Sequence, residues 1–90
     1  MAGRQPPPPK RVELSGKASK VAQAAGEYTD ALKETIREIA ANPLIGTKLK
    51  GEFEGLRRVR VGPYRIVYLF DDTTVRVINI ADRKQVYRRR

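Results

Sequence analysis

LRRVRVGPYRIVYLF, running from Leu56 to Phe70, decides the fold. Two runs in which apolar and arginine residues alternate meet at Gly62-Pro63, a pair suited to a tight hairpin turn because glycine supplies a positive φ at no steric cost. A symmetric turn there sets Val61 opposite Tyr64, Arg60 opposite Arg65, Val59 opposite Ile66 and Arg58 opposite Val67. Side chains alternate across a strand, so Val59, Val61, Tyr64, Ile66, Tyr68 and Phe70 share one side, and that side is the candidate core. A second turn at Asp71-Asp72-Thr73-Thr74 leads into TTVRVINI, Thr73 to Ile80, which adds Val75 and Val77 to the core side. The opposite side carries Arg58, Arg60, Arg65 and Arg76 beside Val67, Leu69, Ile78 and Ile80. Adjacent carboxylates at Asp71 and Asp72 read as turn formers, since Asp hydrogen-bonds its own backbone at a hairpin tip.

Upstream of this meander the pattern becomes helical. Tyr28, Leu32, Ile36 and Ile39 recur at steps of three and four, with Ala31 and Ala40 widening the stripe, and Asn42-Pro43 ends it. The other face, Asp30, Lys33, Glu34, Arg37 and Glu38, mixes both signs as a solvated surface does. An earlier, weaker stripe, Ala18, Val21, Ala22 and Ala25, starts at Ser15, a candidate cap, and ends at Gly26. Lys10 to Leu14 reads as a short strand, with Val12 and Leu14 alternating with charge. Leu44 to Gly55 reads as a polar connection in which Gly46, Gly51 and Gly55 permit turns. The expected fold is therefore α+β: a small antiparallel sheet, made of a three-stranded C-terminal meander plus a short N-terminal strand, with an N-terminal helical hairpin packed on one face.

At 90 residues the chain supports one domain, expected over residues 10–90, and a small core. Residues 1–9, with four consecutive prolines, read as a disordered or polyproline-II lead. There is no cysteine and no histidine, which excludes disulfides, Cys/His metal sites and any nucleophile–histidine pair. The longest apolar run is too short for a membrane span and the N-terminus lacks a signal peptide's apolar stretch, so a cytoplasmic protein is expected.

Charge is distributed unevenly. Residues 1–47 hold seven basic and five acidic groups, residues 48–90 twelve and five, out of a net +9. An excess concentrated on one rigid sheet favours a polyanion, and RNA is the expected one, or an acidic protein that covers the same surface. Arg60 against Arg65 is a local fault, because like charges directly opposite each other repel by a few tenths of a kcal/mol up to about 1. A bound phosphate would turn that repulsion into a two-pronged clamp; the bland alternative is neutralisation by Glu52 or Glu54. Apolar Val67, Leu69, Ile78 and Ile80 beside the arginines would give a base or a partner helix something to lie on. The last eight residues, RKQVYRRR, are basic at five positions and acidic at none, and Tyr87 among them can stack on a base or join proton transfer.

At these residues the chain resembles the RelE/ParE toxin superfamily, specifically the RelE-type messenger-RNA interferases of type II toxin–antitoxin pairs. The resemblance runs from about Arg11 to the C-terminus. It rests on a helix ending in Asn42-Pro43, then Leu49-Lys50-Gly51, then the run from Leu56 to Tyr68, and finally Arg83 with Val86-Tyr87-Arg88. It implies a toxin that enters the ribosomal A site and cuts messenger RNA, inhibiting translation, without metal or cofactor. It carries the catalytic roles onto Arg65, Arg83 and Tyr87, and RNA or phosphate binding onto Arg58 and Arg60. Lys48, Lys50, Lys84 and Arg88 are expected to add phosphate contacts. Arginine at 58 and 60, where some relatives have lysine, keeps the charge but hardly deprotonates. Cleavage through the neighbouring ribose 2′-hydroxyl needs a base, stabilisation of an anionic phosphorane and a proton for the leaving oxygen. Arginines supply the second of these and Tyr87 is the candidate for the first; the set is incomplete, so the ribosome is expected to complete the geometry. The implied partners are a ribosome carrying message and an acidic, RelB-like antitoxin. Two other functions fit the same residues: a ParE-like inhibitor of DNA gyrase, and a non-catalytic nucleic-acid-binding module.

Overall fold

The structure, a computed structural model, describes residues 8–51 and 54–82. Five strands form one sheet: β1 (Arg11–Leu14), β2 (Thr47–Lys48), β3 (Arg57–Val61), β4 (Tyr64–Phe70) and β5 (Thr74–Asp82), in the order β1-β5-β4-β3-β2. The expected meander is present, and the expected N-terminal strand joins it parallel to β5, which makes the sheet mixed. The polar connection after the helices also contributes a strand, β2, paired antiparallel with β3. Two helices, α1 (Gly16–Gln23) and α2 (Thr29–Ala41), cover one face.

The β3–β4 register matches the reading from the turn, with Val61 opposite Tyr64 and Arg60 opposite Arg65. Gly62 has φ 58°, and its Cα lies so close to the Tyr28 ring that a Cβ there would collide with it. The Tyr28 ring in turn meets Tyr64 edge-on, with centroids 5.8 Å apart. At the second turn Asp71 Oδ1 accepts from the backbone N–H groups of Thr73 and Thr74, both at 2.9 Å, and these bonds hold its carboxyl below the usual carboxylate range. The two adjacent acids are turn residues.

The core joins Ala18, Ala22, Leu32, Ile36 and Ile39 from the helices to Val61, Ile66, Tyr68, Val75, Val77 and Ile80 from the sheet. Ala31, assigned to the apolar stripe, is exposed. Ile80 is the larger correction: expected beside the arginines, it is 1% exposed and sits opposite Ile66 in the core. Between Tyr68–Val77 and Val67–Asn79 the register shifts by one residue, so Ile78 is a β-bulge. The insertion resets the alternation, turning Ile80 into the core opposite Ile66 and placing Asn79 opposite Val67 on the other side of the sheet.

Ser15 holds that bulge. Its Oγ caps α1 by accepting from Ala18 N–H at 3.0 Å and donates to the Ile78 carbonyl at 3.0 Å, while its own N–H donates to the Val77 carbonyl. The carbonyl of the inserted residue is thus satisfied by a helix cap.

At the far end of α2, Asn42 Oδ1 accepts from Leu44 N–H and opens a short 3-10 turn, Pro43–Ile45. Tyr68, fully buried on β4, fastens it: the phenol donates to the Pro43 carbonyl at 2.6 Å and accepts from Gly46 N–H at 3.0 Å. Gly46 has an ordinary negative φ of −77°, so what excludes a side chain there is the close approach of the Tyr68 ring, not the turn. Arg57 closes the same corner by donating to the Gly46 carbonyl at 2.8 Å, with its guanidinium 6.0 Å from the Phe70 ring centroid.

Candidate nucleic-acid interface

The face of the sheet turned away from the helices carries Arg58 and Arg60 from β3 and Arg65 from β4. Strand geometry makes this unavoidable: with Val59, Val61 and Ile66 turned toward the helices, their neighbours point the other way. Arg58 and Arg60 stand about 7 Å apart along β3, and Arg65 faces Arg60 across the ladder. Among the described residues no carboxylate pairs with any of the three. Glu54, one of the two acids expected to neutralise them, instead lines a groove with Lys48 and Lys50; Glu52 lies outside the described residues. Three guanidiniums held on two adjacent strands, one exposed and two half-buried, form a donor-only surface matched to phosphate oxygens.

Not every cation expected here belongs to it. Arg76 shares the face but is bound to Glu13 of β1 at 3.2 Å, its register partner across the parallel ladder. Lys48 lies opposite Arg57, and so on the other face from Arg58. With Lys50 it borders a groove around Leu49, Leu56, Arg57 and Phe70. The structure therefore gathers Arg58, Arg60 and Arg65 and leaves Lys48 and Lys50 apart from them. Arg83, Lys84, Tyr87 and Arg88 lie outside the described residues.

Two residues of the sheet, one on each face, carry no role in the sequence reading. Arg57, read only as part of the arginine run, is structural because its donors are spent on loop carbonyls. Asn79, brought outward by the bulge, sits opposite Val67 beside the arginine rows, and its Oδ1 is buried with no hydrogen-bond partner among the described residues. On the helix side a separate apolar groove of about 580 Å³ runs between β1 and the helices, lined by Val12, Leu14, Ala22, Ile36 and Ala40, with Lys33 and Arg37 among its bordering residues.

A family model described as the ParE toxin of type II toxin–antitoxin systems, parDE, matches residues 12–87. The chain belongs to that family. The toxin is also similar to the solved RelBE2 toxin–antitoxin complex from Mycobacterium tuberculosis, at 28% identity and a TM-score of 0.74, covering 83% of this chain and 92% of that one. A YoeB/ParE toxin from Agrobacterium tumefaciens aligns at 17% identity and a TM-score of 0.69, covering 80% of this chain and 96% of the other. The chromosomal ParDE system of Pseudomonas aeruginosa aligns at 12% identity and a TM-score of 0.66, covering 81% and 95%. At those lower identities the likeness concerns the fold, which is the RelE-like α+β arrangement expected for the toxin. No curated protein sequence matches the chain. Among the described residues no helix is long and apolar enough to cross a membrane.

Proposed function

We propose that this toxin is a ribosome-dependent endoribonuclease that cleaves messenger RNA in the ribosomal A site and so stops translation. The observation that carries this reading is the unpaired Arg58, Arg60 and Arg65 trio, with Arg60 set directly against Arg65. A fold that keeps like charges opposed without a carboxylate between them is arranged for an anion that arrives later. In the reaction, the ribose 2′-oxygen attacks the adjacent phosphorus, the bond from phosphorus to the 5′-oxygen breaks, the leaving 5′-oxygen takes a proton from water, and a 2′,3′-cyclic phosphate and a 5′-hydroxyl result. Arg65, flanked by Arg60, stabilises the extra negative charge on the phosphorane. Arg83 and Tyr87 complete the proposed site, with Tyr87 taking the 2′-hydroxyl proton, and Lys84 and Arg88 adding phosphate contacts. Since this chain supplies an incomplete acid–base set, the ribosome holds the codon in the in-line geometry and naked RNA is a poor substrate.

The proposed antitoxin is an acidic chain with an amphipathic helix. The apolar groove beside β1 accepts such a helix, and Lys33 and Arg37 along it suit its acidic side. Inhibition of DNA gyrase is the second reading, favoured by the family model, which is named for ParE. Addition of the toxin to a translating extract, followed by mapping of message 5′ ends, separates the two. Cuts clustered in A-site codons and absent with Arg65→Ala and Tyr87→Phe support cleavage; intact message together with blocked DNA supercoiling transfers the assignment to gyrase.

A further inference from the structure

The ion pair between Arg76 and Glu13 holds the guanidinium without using it up. The 3.2 Å contact engages Nε alone, and neither terminal nitrogen has an acceptor among the described residues. Asp71 also feels the charge of Arg76, but its Oδ1 already accepts from the N–H groups of Thr73 and Thr74. The Arg76 side chain is 55% exposed and that of Glu13 53%, and a pair so open to solvent contributes at most about 1 kcal/mol to stability. Arginine carries its donors in a fixed fork, so a side chain steadied through Nε still offers its terminal nitrogens to an anion.

Register fixes where Arg76 stands relative to the trio. It lies opposite Leu69 on β4, two residues along that strand from Val67, which faces Arg58 on β3. Two strand spacings of about 4.8 Å and two residues of about 3.3 Å put the backbones of Arg58 and Arg76 about 12 Å apart. The outer face between them is apolar, with half-buried Val67 and Leu69 and, at the bulge, Ile78, 38% exposed. Asn79, opposite Val67, has its amide oxygen buried and adds no charge. Cations at both ends of an apolar strip match a single-stranded polynucleotide, in which phosphates flank every base and every base has a face that stacks on apolar surface. Glu13, on β1 beyond Arg76, brings negative charge to the far side of that strip and so marks its end.

We infer that Arg76 is a second phosphate-binding station of the arginine face, gripping the RNA strand on the other side of the apolar strip from Arg58, Arg60 and Arg65. This rests on the proposal that the face binds RNA. The trio holds the phosphate at which the strand is cut, and Arg76 holds a neighbouring one and sets the direction in which the strand crosses the sheet.

The test measures binding of a fluorescein-labelled oligouridylate to wild-type toxin, Arg76→Gln, Glu13→Gln and Lys17→Gln in potassium chloride from about 0.05 to 0.3 M. Arg76→Gln is expected to lose about 0.7 from the slope of log affinity against log salt, and about fivefold in affinity at 0.1 M, the signature of one phosphate on a single strand. Lys17→Gln removes the same charge from α1, on the covered side of the sheet, and should leave the slope unchanged. Glu13→Gln separates a phosphate contact from a merely structural ion pair. Either substitution breaks the pair, so a structural role would make the two variants alike; the expected result is that Glu13→Gln binds RNA at least as tightly as wild type while Arg76→Gln binds it less. On programmed ribosomes Arg76→Gln should raise KM at unchanged kcat, whereas Arg65→Ala lowers kcat. An Arg76→Gln variant with the wild-type salt slope, or one that matches Glu13→Gln, overturns the assignment and leaves the cleavage proposal standing. Binding that depends on Arg76 in a toxin that cuts no message upholds the station and overturns the cleavage proposal. A wild-type toxin that does not bind the oligouridylate overturns both the station and the RNA reading of the face.

Discussion

Replacing Tyr68 by Phe removes one oxygen from the most enclosed part of the molecule. The ring fits unchanged, because Phe fills the same space less the hydroxyl. What changes is that the Pro43 carbonyl loses its 2.6 Å donor and Gly46 N–H its 3.0 Å acceptor, and both residues are buried. Each stranded backbone group costs about 1–3 kcal/mol; because the pair can relax partly toward solvent at the adjoining exposed Leu44, the expected loss is about 2–4 kcal/mol. For a domain of this size that lowers the melting temperature by roughly 15 °C. Chemical denaturation followed by circular dichroism measures it. An alkaline titration adds an independent sign. Burial raises the phenol above its ordinary value of 10.0, outweighing the opposing effects of Gly46 N–H and Arg57. The unfolded chain therefore ionises first, so the stability that the neutral phenol contributes is complete below about pH 10 and falls as pH rises through the folded value. The gap between wild type and Tyr68→Phe should accordingly narrow above that pH. A variant within about 0.5 kcal/mol of wild type at neutral pH, or a gap that stays constant into alkali, refutes the anchoring role.

Two further outcomes follow from the sheet. Arg60→Glu sets opposite charges across from each other at Arg65, so the protein should become more stable by a few tenths of a kcal/mol up to about 1 while losing growth inhibition in cells; undiminished toxicity would remove the trio from the site. Ser15→Ala deletes both the α1 cap and the donor to the bulge carbonyl, and is expected to cost about 1–2 kcal/mol and to speed amide exchange from Ile78 to Ile80; unchanged exchange there would mean that the bulge needs no brace.

Much of the fold is legible because its determinants are local. Gly62 permits the positive φ, the turn sets the register, and the register carries Arg58, Arg60 and Arg65 to one face without reference to anything distant. The α2 stripe from Leu32 to Ile39 is legible for the same reason, as is Ser15 as a cap. Asn79 and Ile80 show where such reasoning stops. Strict alternation from Val75 places a polar amide inward and an isoleucine outward, and that mismatch of polarity was the available sign that a residue is inserted between.

The sequence by itself determined the hairpin, the helices and the sharing of one sheet face by three arginines, since each depends on neighbours a few residues apart. Only the tertiary structure decided which cations remain unpaired. Glu13 reaches Arg76 across 63 positions of chain, Arg57 is drawn to the carbonyls of Leu44 and Gly46, and Lys48 falls on the opposite side because β2 pairs where no local pattern announced a strand. Ion pairing and burial depend on which segments meet in space, and that is set by the packing of the whole chain rather than by the spacing of residues along it.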